Sequence, residues 1–396
     1  TNIGSYCKYR LENGNDKEIV PLKSYKLTAM DLKITKTEIY MFKIPMVPFT
    51  IATGTMEFAQ NVLIKIHTNE GIIGLGECSA FPMIVGETQT SCYHHAKDFA
   101  AFWKGKNPLE IQTRLAELDK IIAGNYTIKS AFDIALYDIA AKAANQPLYA
   151  FLGGKQKAIE TDLTIGIDSP EKMAEQAIEF KEKGVTMIKV KLGKAPATDI
   201  DRIQQIRTAI GSDIKLRIDA NQGWSKEDAL PVLKSLSHFD IEFCEQPMHK
   251  YYDDYLPALC AASPIPIMAD ESVFTHHDAR KLIANKACHL INIKFSKSGG
   301  IQEAIKIQSI AGENKMACMM GGMLESRLAL SAKMHFAMAH DHVKYYDMDT
   351  CLLGHLVDPI LGGVQFNGMH LSIGETPGHG ADVDPDYLSK LEHCVV

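Results

Sequence analysis

The sequence predicts an α/β fold built on a parallel barrel, and three observations lead to it. Short apolar runs recur after about residue 155, with starts about 23 to 28 residues apart. Stretches with helical spacing, such as "EKMAEQAIEFKEKG", separate the runs. No glycine-rich phosphate loop follows the first run, which disfavours a doubly wound sheet. Eight such units fit a (β/α)8-type barrel better.

The amino-acid composition argues against a nucleic-acid-binding protein and a membrane protein. The 396 residues are 46% hydrophobic, which suffices for a packed core, and the formal net charge is −6 without a basic block. We therefore expect a globular cytoplasmic protein that acts on a small molecule, not on nucleic acid or a membrane. Nine cysteines occur singly without a CxxC pair, so we expect reduced thiols.

The N-terminal part predicts a smaller α+β region. Residues 1–29 are polar and weakly patterned, which predicts a flexible extension, and residues 30–155 form the α+β region. The segments "ITKTEIYMFKI" and "NVLIKIHTNEGIIGLGECS" predict three strands. Helices follow in "PLEIQTRLAELDKII" and in "SAFDIALYDIAAKAANQ", where Ser130 is a candidate N-cap.

Residues 156–355 carry the barrel repeat. The predicted strands are "TDLTIGI", "MIKVKL", "KLRIDAN", "IEFCEQP", "IMADES", "LINIKF", "KMACMMGG" and "VKYYDMD". Residues 356–396 follow, and "GGVQFNGMHLSI" predicts a hairpin there. We expect this C-terminal segment to return to the N-terminal region.

Ionisable residues stand at the ends of the predicted strands, where barrels of this kind place their active sites. They are Lys189, Lys191, Asp219, Glu245, Asp270, Lys294, Asp347 and Asp349. A single aspartate at a strand end often caps the next helix. Converging carboxylates, however, repel one another unless a cation neutralises them. Oxygen ligands without His or Cys favour Mg²⁺.

Two lysines on one strand suggest proton transfer. In "MIKVKLG", Lys189 and Lys191 point to the same side of the strand. The charge of Lys189 favours a neutral Lys191, which then acts as a base. Lys294 comes from a strand four units on, across the barrel. Two opposed lysines can remove a proton α to a carboxylate from one face and return it on the other, through an enediolate stabilised by the metal and Lys189.

These motifs resemble the muconate-lactonising subgroup of the enolase superfamily. The resemblance rests on "IKVKLG", "LRIDANQGW", "FCEQP", "IMADES" and "INIKFSKSGG", and it runs from about residue 30 to the C-terminus. It implies a modified (β/α)7β TIM barrel under an α+β capping domain made from the N-terminal region and C-terminal tail. It also implies one Mg²⁺ on Asp219, Glu245 and Asp270, with Lys191 and Lys294 as acid and base. Lys297 is then expected to be a surface or loop lysine.

Within that subgroup, "YYDMDT" resembles the dipeptide epimerases. Asp347 and Asp349 lie on the same strand face and suit the α-ammonium of a dipeptide. The alternative is a pair of solvated acids in a turn. Related enzymes selective for alanyl-glutamate carry an arginine in the first capping loop, whereas "PFTIATGT" places Gly54 there. A small or apolar second residue is therefore favoured.

Further residues are assigned by position. We expect Thr164 and Met323 to bind substrate together with Lys189, Gly54 and the Asp-x-Asp pair. The segment "GMLESRL" lines the site through its backbone or holds Glu325 as a structural ion-pair partner, and the sequence leaves both interpretations open. Cys244 is expected to point away from Glu245's side of the strand. The pairs His94–His95 and His276–His277 are expected at the surface, without metal-ligand spacing.

The sequence thus predicts an Mg²⁺-dependent epimerase that inverts the α-carbon of the C-terminal residue of Ala-Xaa dipeptides, in a homo-oligomer. Alternatives with the same enediolate are a cycloisomerase, an o-succinylbenzoate synthase-like lyase and an N-succinylamino acid racemase, which leave Asp347 and Asp349 without a function. A Schiff-base aldolase needs a lysine but not three carboxylates. A non-catalytic binding barrel would not need two opposed lysines.

Overall fold

The computed structural model describes residues 31–396, together with the backbone of two short strands near the N-terminus. These are β1 (Tyr6–Tyr9) and β2 (Ile19–Leu22), which pair antiparallel. The predicted flexible extension, residues 1–29, otherwise lies outside the described residues. None of the helices in the described part of the chain combines the length and apolar character that a membrane span requires.

The capping region begins with the three predicted strands. They are β3 (Ile34–Ile51), β4 (Gly54–Thr68) and β5 (Ile73–Ser79), and they pair as an antiparallel meander. β3 and β4 continue past the sheet as a long hairpin whose tip is the predicted first capping loop. The alternating burial along β3 matches a sheet with one face on the core.

Five helices follow, and one expectation about them is wrong. They are α1 (Pro82–Val85), α2 (Gln89–Trp103), α3 (Ile111–Ile121), α4 (Tyr126–Ala143) and α5 (Leu148–Phe151). Ser130 is not an N-cap, because α4 starts one turn earlier and the Ser130 hydroxyl donates to the carbonyl of Thr127. The carboxylate of Glu87 instead accepts the N–H groups of Thr127 and Ile128, so the cap is tertiary.

All eight predicted barrel strands are present and parallel. After a short strand β6 (Ile159–Glu160), they are β7 (Leu163–Ile165), β8 (Met187–Lys191), β9 (Lys215–Asp219), β10 (Ile241–Glu245), β11 (Ile267–Ala269), β12 (Leu290–Ile293), β13 (Cys318–Gly321) and β14 (Val343–Asp347). Each pairs with its neighbour in chain order. β7 and β14 meet through a hydrogen bond from the Asp162 N–H to the Tyr346 carbonyl, 3.3 Å long. The barrel is therefore nearly closed.

Helices connect the strands on the outside. They are α6 (Pro170–Glu182), α7 (Pro196–Ile210), α8 (Lys226–Leu236), α9 (Leu256–Ala262), α10 (His276–Ala284), α11 (Phe295–Ser298), α12 (Ile301–Glu313) and α13 (Arg327–Ala339). A 3-10 turn, not an α-helix, follows β14 at Thr350–Leu352. The predicted (β/α)7β barrel is confirmed.

The C-terminal segment returns to the cap, as expected. It contains β15 (Ile360–Gly362), β16 (Gln365–Asn367), β17 (His370–Ser372), β18 (Ala381–Val383), α14 (Pro385–Leu388) and β19 (His393–Val395). β16 and β17 form the predicted hairpin and extend to β6. β19 pairs with β3 as the edge of the capping sheet. The boundaries between domains at residues 155 and 355 stay predictions.

Buried carboxylates of the cap hold it to the barrel. Glu77 on β5 accepts hydrogen bonds from Asn61 Nδ2 at 2.7 Å, from the N–H and hydroxyl of Ser326 at 2.8 and 2.6 Å, and from the Ala329 N–H at 3.2 Å. Its carboxylate thereby caps α13, where the N–H groups of the first turn lack helical partners. Asp133 on α4 accepts the first N–H groups of α12 in the same way. The cap is thus fixed beside two loops of the barrel mouth.

Replacing Glu77 by Gln should destabilise the protein without changing the size of the side chain. The amide NH₂ would face N–H and O–H donors and leave buried groups unpaired, at a cost of about 1–3 kcal/mol. Urea denaturation measures the change in the free energy of unfolding. Glu57→Gln, at an exposed position on the neighbouring strand β4, is the matched control. Equal stability of the two variants would show that Glu77 does not hold the domains together.

Candidate active site

The two lysines of β8 both point into the barrel mouth. The Lys189 ammonium is fully buried and lies 2.6 Å from Glu245 Oε2, 2.8 Å from Asp347 Oδ2 and 3.2 Å from Asp219 Oδ2. Lys191 Nζ lies 2.6 Å from Asp219 Oδ2. Three carboxylates therefore surround the Lys189 ammonium, and the effect expected of Lys189 on Lys191 stays a prediction.

The three predicted metal ligands end consecutive strands. Asp219 and Glu245 are the last residues of β9 and β10, and Asp270 directly follows β11. All three are fully buried. Lys294 Nζ lies 2.8 Å from Asp270 Oδ2 and 3.8 Å from Glu245 Oε1. Lysine and carboxylate charges therefore alternate around the mouth.

Burial and the lysines act oppositely on these acids. Burial alone would raise the pKa of Asp219, but the ammonium groups of Lys191 and Lys189 outweigh it and lower the pKa. Lys294 and Lys297 likewise overcome burial and hold the pKa of Asp270 well below its usual range. Burial and the charge of Asp219 raise the pKa of Glu245 to about 7. Of the three, Glu245 has its charge least well compensated.

Lys297 is not the surface or loop lysine that the sequence analysis expected. It lies in α11, its side chain is fully buried, and its Nζ lies 2.6 Å from Asp270 Oδ1. The three-residue offset from Lys294 places it one helical turn on, beneath the strand ends. The expectation of a surface position was wrong because α11 folds directly behind the barrel mouth, where its side chains are buried.

Asp347 and Asp349 are buried, so the alternative of solvated acids in a turn is wrong. Their oxygens lie with one of Asp162 in a group within 4.8 Å of one another. Asp349 Oδ2 accepts the Thr164 N–H at 2.7 Å, and Asp162 pairs with Arg217 at 2.8 Å. Burial, Asp347 and Asp162 raise the pKa of Asp349 well above its usual value. The raised pKa shows that a further negative charge beside Asp347 is unfavourable unless a cation offsets it.

This close acid group differs from the predicted metal ligands. Among the described residues, the acids whose oxygens converge within 4.8 Å are Asp162, Asp347 and Asp349. Around the predicted ligands, the ammonium groups of Lys189 and Lys294 lie between the carboxylates. The assignment of those ligands stays a prediction.

A small cavity of about 50 Å³ lies between the cap and the barrel mouth. Lys191, Asn221 and Lys294 line it from the barrel, and Met323 lines it from the loop after β13. The cap contributes apolar side chains only: Phe49, Ile51, Met56, Phe81 and Ile84. Both lysines thus face one space under an apolar roof.

The structure places the other predicted substrate-binding residues, Thr164, Gly54 and Met323, at different distances from the cavity. Thr164 lies on β7 beside Lys189 and donates its N–H to Asp349, so it belongs to the acid group. Gly54 starts β4 at the hairpin tip but does not line the cavity, and a Cβ there would lie 2.9 Å from Met83 Sδ. Glu325 forms a buried ion pair with Lys333 and accepts the Met323 N–H. It therefore holds the loop through which Met323 lines the cavity.

Sequence reasoning missed several polar residues of the mouth. Asn292 donates to Glu245 Oε1 at 2.6 Å, and Asn221 donates to Glu271 at 3.3 Å. Asn292 lies two residues before Lys294, so strand periodicity could have placed both on one face. The side-chain carbonyl of Gln246 accepts the Asp270 N–H at 2.9 Å. No comparable pattern marks Gln246, whose backbone is left-handed (φ 32°).

Cys244 and the two histidine pairs, which the sequence analysis did not assign to the site, also lie outside the cavity in the structure. Cys244 packs in the hydrophobic core, and burial together with the charges of Asp219 and Glu245 holds its thiol pKa well above the usual value. His94 and His277 are exposed, and their neighbours His95 and His276 are half-buried. His276 pairs with Glu303, outside the barrel mouth.

A (β/α)7β barrel with its ionisable groups beneath an α+β cap is the architecture of a two-domain barrel enzyme. Residues 35–153 match the model for the mandelate racemase/muconate lactonizing enzyme N-terminal domain, and residues 172–387 match the enolase C-terminal domain-like model. The chain belongs to the mandelate racemase/muconate lactonizing enzyme family of the enolase superfamily.

Its relatives include several epimerases. The D-Ala-D/L-Ala epimerase of Cytophaga hutchinsonii is 44% identical over 92% of this chain and 99% of its own. The L-Ala-D/L-Glu epimerase of Bacillus subtilis is 37% identical over 88% and 96%. The hydrophobic dipeptide epimerase of Enterococcus faecalis is 38% identical over 84% and 94%.

The fold agrees with this relationship. The crystal structure of the dipeptide epimerase from Cytophaga hutchinsonii, complexed with Mg and D-Ala-L-Val, aligns with a TM-score of 0.91 and 44% identity over 92% of this chain and 100% of that chain. The predicted family, fold and isomerase class are confirmed. The expected homo-oligomer and cytoplasmic location stay predictions.

Replacing Asp219, Glu245 or Asp270 by its amide should lower the affinity for Mg²⁺ by about tenfold or more, because each substitution removes a carboxylate charge. Isothermal titration calorimetry on each variant measures this affinity. Asp138→Asn is the control, since Asp138 is a buried carboxylate of the cap that binds Lys142 and the Leu75 N–H. If all three variants bind as the unmodified protein does, the assignment of the metal ligands is wrong.

Proposed function

We propose that this protein is an Mg²⁺-dependent dipeptide epimerase that inverts the α-carbon of the C-terminal residue of Ala-Xaa dipeptides. The observation that carries the proposal is the placement of Lys191 and Lys294. They come from the second and sixth strands of an eight-stranded barrel and line one cavity. A Cα–H bond held between them has a lysine on each face.

The donor set fits a divalent cation, which the solved relative with Mg also supports. Asp219, Glu245 and Asp270 offer hard oxygen ligands in a fully buried setting. The buried oxygens Asn221 Oδ1 and Glu271 Oε2 receive no hydrogen bond, so acceptor capacity remains beside them. We assign one Mg²⁺ to the three acids. When bound, it supplies positive charge that makes the α-proton of a nearby carboxylate more acidic.

Proton transfer itself is assigned to the two lysines. One lysine takes the α-proton from its face and the other, as an ammonium, returns a proton from the opposite face. Lys189 cannot share this role. Burial alone would lower its pKa, but Asp347, Glu245 and Asp219 raise that pKa well above the usual value. Lys189 therefore stays charged and stabilises negative charge that develops on the substrate.

The dipeptide ammonium is assigned to Asp347 and Asp349. The pair lies in the buried group with Asp162, and Asp349 accepts hydrogen bonds from Thr164, with the backbone N–H at 2.7 Å. A cation there relieves repulsion among these acids. Cycloisomerase, lyase and N-succinylamino acid substrates carry no α-ammonium and would leave that repulsion in place. This favours a free dipeptide over an N-acyl amino acid.

The roof of the cavity favours an apolar second residue. The cap contributes aromatic, aliphatic and methionine side chains and no charged group. Relatives named for alanyl-alanine and for hydrophobic dipeptides agree with this, whereas the Bacillus subtilis relative is named for alanyl-glutamate. A glutamyl carboxylate buried against the roof would lack a partner, which is costly.

Lys191→Ala and Lys294→Ala should each abolish epimerisation, because neither variant can act on both faces. Each variant should still exchange the α-proton of one epimer with D₂O, and the two variants should choose opposite epimers. Proton NMR of the α-hydrogen, run on both epimers of an alanyl dipeptide, measures this.

Lys194→Ala, at an exposed position just after the strand, is the control and should epimerise normally. Epimerisation retained in either active-site variant would favour one base over two. Exchange of the same epimer by both variants would mean that the lysines do not face opposite sides.

Dipeptides Ala-Xaa with a small or apolar Xaa should be turned over at least as well as alanyl-glutamate. Introducing Gly54→Arg should shift kcat/KM toward glutamate, because it adds a cation to the capping loop; the new side chain must displace Met83 and adopt a φ of 159°, and the control shares both costs. Gly54→Gln, of similar length and neutral, is the control. An excess of about tenfold or more in kcat/KM for alanyl-glutamate in the unmodified enzyme would contradict the specificity.

A further inference from the structure

The Lys297 ammonium is enclosed behind the barrel mouth. Its side chain is fully buried, in a short helix that starts directly after the strand end carrying Lys294. A buried ammonium is costly unless its three donors find acceptors. The acceptors of the Lys297 ammonium therefore show why this buried charge is tolerated.

All three donors of Lys297 have acceptors. Nζ donates to Asp270 Oδ1 at 2.6 Å, to the Asp270 carbonyl, and to the Asn292 carbonyl at 3.1 Å. The ammonium therefore ties the ends of β11 and β12 together. With its donors used in this way, Lys297 does not face the cavity or the substrate.

The two oxygens of Asp270 are divided between two lysines. Oδ1 is held by Lys297 from behind, and Oδ2 lies 2.8 Å from Lys294 at the mouth. A carboxylate anchored on one oxygen cannot rotate freely about its terminal torsion. The anchor therefore fixes the direction of the other oxygen, and with it the position of Lys294.

We propose that Lys297 is a positioning residue that anchors Asp270, so that Asp270 Oδ2 faces the barrel mouth and holds Lys294 in place. The proposal rests on the proposed function for its kinetic consequence, but its effect on cation binding does not need substrate. Partners behind metal ligands typically contribute about 10–100-fold in affinity or activity.

The position of Lys297 predicts an asymmetric kinetic effect. Its ammonium donates to Asp270, the acid that holds Lys294, and to the Asn292 carbonyl, and these bonds leave no donor for Asp219. Losing the anchor should therefore slow α-proton exchange on the Lys294 face more than on the Lys191 face. A general loss of stability would lower both rates together, because it reduces the fraction of folded enzyme.

The test uses Lys297→Met and Lys297→Arg in the full chain. Lys297→Met should weaken Mg²⁺ binding, measured by calorimetry without substrate, by about 10–100-fold. It should also change the ratio of α-proton exchange rates of the two epimers by about tenfold or more. Lys297→Arg keeps a cation and donors and should recover part of both. If Lys297→Met does not fold, Lys297→Gln, which keeps a donor, replaces it.

Lys129→Met is the matched control. Lys129 is also a buried lysine that binds one carboxylate, Asp119 at 2.9 Å, and one carbonyl, Ile122 at 2.7 Å, but it lies in the cap. It should lose stability with unchanged Mg²⁺ affinity and exchange ratio. The proposal is overturned if Lys297→Met has the same Mg²⁺ affinity and the same exchange ratio as Lys129→Met. Tighter Mg²⁺ binding by Lys297→Met would also overturn it. If the unmodified enzyme exchanges no dipeptide proton, the proposed function fails while calorimetry still decides the role of Lys297.

Discussion

The buried ammonium of Lys189 is the constraint on which the site depends. It contacts carboxylates from the third, fourth and eighth barrel strands, Asp219, Glu245 and Asp347, within 3.2 Å. Removing one member of such a cluster leaves an uncompensated buried charge, which is far more costly than losing an exposed ion pair. The strand ends must therefore hold these groups in register, and the nearly closed barrel does so. Lys191 and Lys294 extend the same alternation of charge to the cavity.

The cap contributes to the site in two ways: its apolar side chains cover the cavity, and its buried carboxylates attach it to the barrel. Glu77 and Asp133 place carboxylates at the first turns of two barrel helices, where unpaired N–H groups and the helix dipole favour a negative charge. These helices follow the strands that lead to Lys294 and to the Met323 loop. The apolar roof is thus attached to the same loops that carry Lys294 and Met323 into the cavity.

Much of this fold could be predicted from the sequence because each strand is marked by residues that are adjacent in the chain. A short apolar run marks each barrel strand, and the residue at the C-terminal end of such a strand must lie at the barrel mouth. Lys191, Asp219 and Glu245 could therefore be placed together without coordinates. Their roles as base and metal ligands rest on chemistry and resemblance, and they remain proposals. Gly54, placed by position in a loop, does not line the cavity.

By itself, the sequence determined the eight parallel strands and the convergence of lysines and acids, because both follow from periodicity and chain order. The family resemblance added the return of the C-terminal segment to the cap. Only the tertiary structure decided contacts between segments distant in sequence. Glu87 starts α4 in place of Ser130, and Asp162 joins the Asp-x-Asp pair from the opposite end of the repeat. Lys297 is buried against Asp270 because the helix that carries it folds behind the mouth. Such partners are chosen by three-dimensional packing, which no short stretch of sequence encodes.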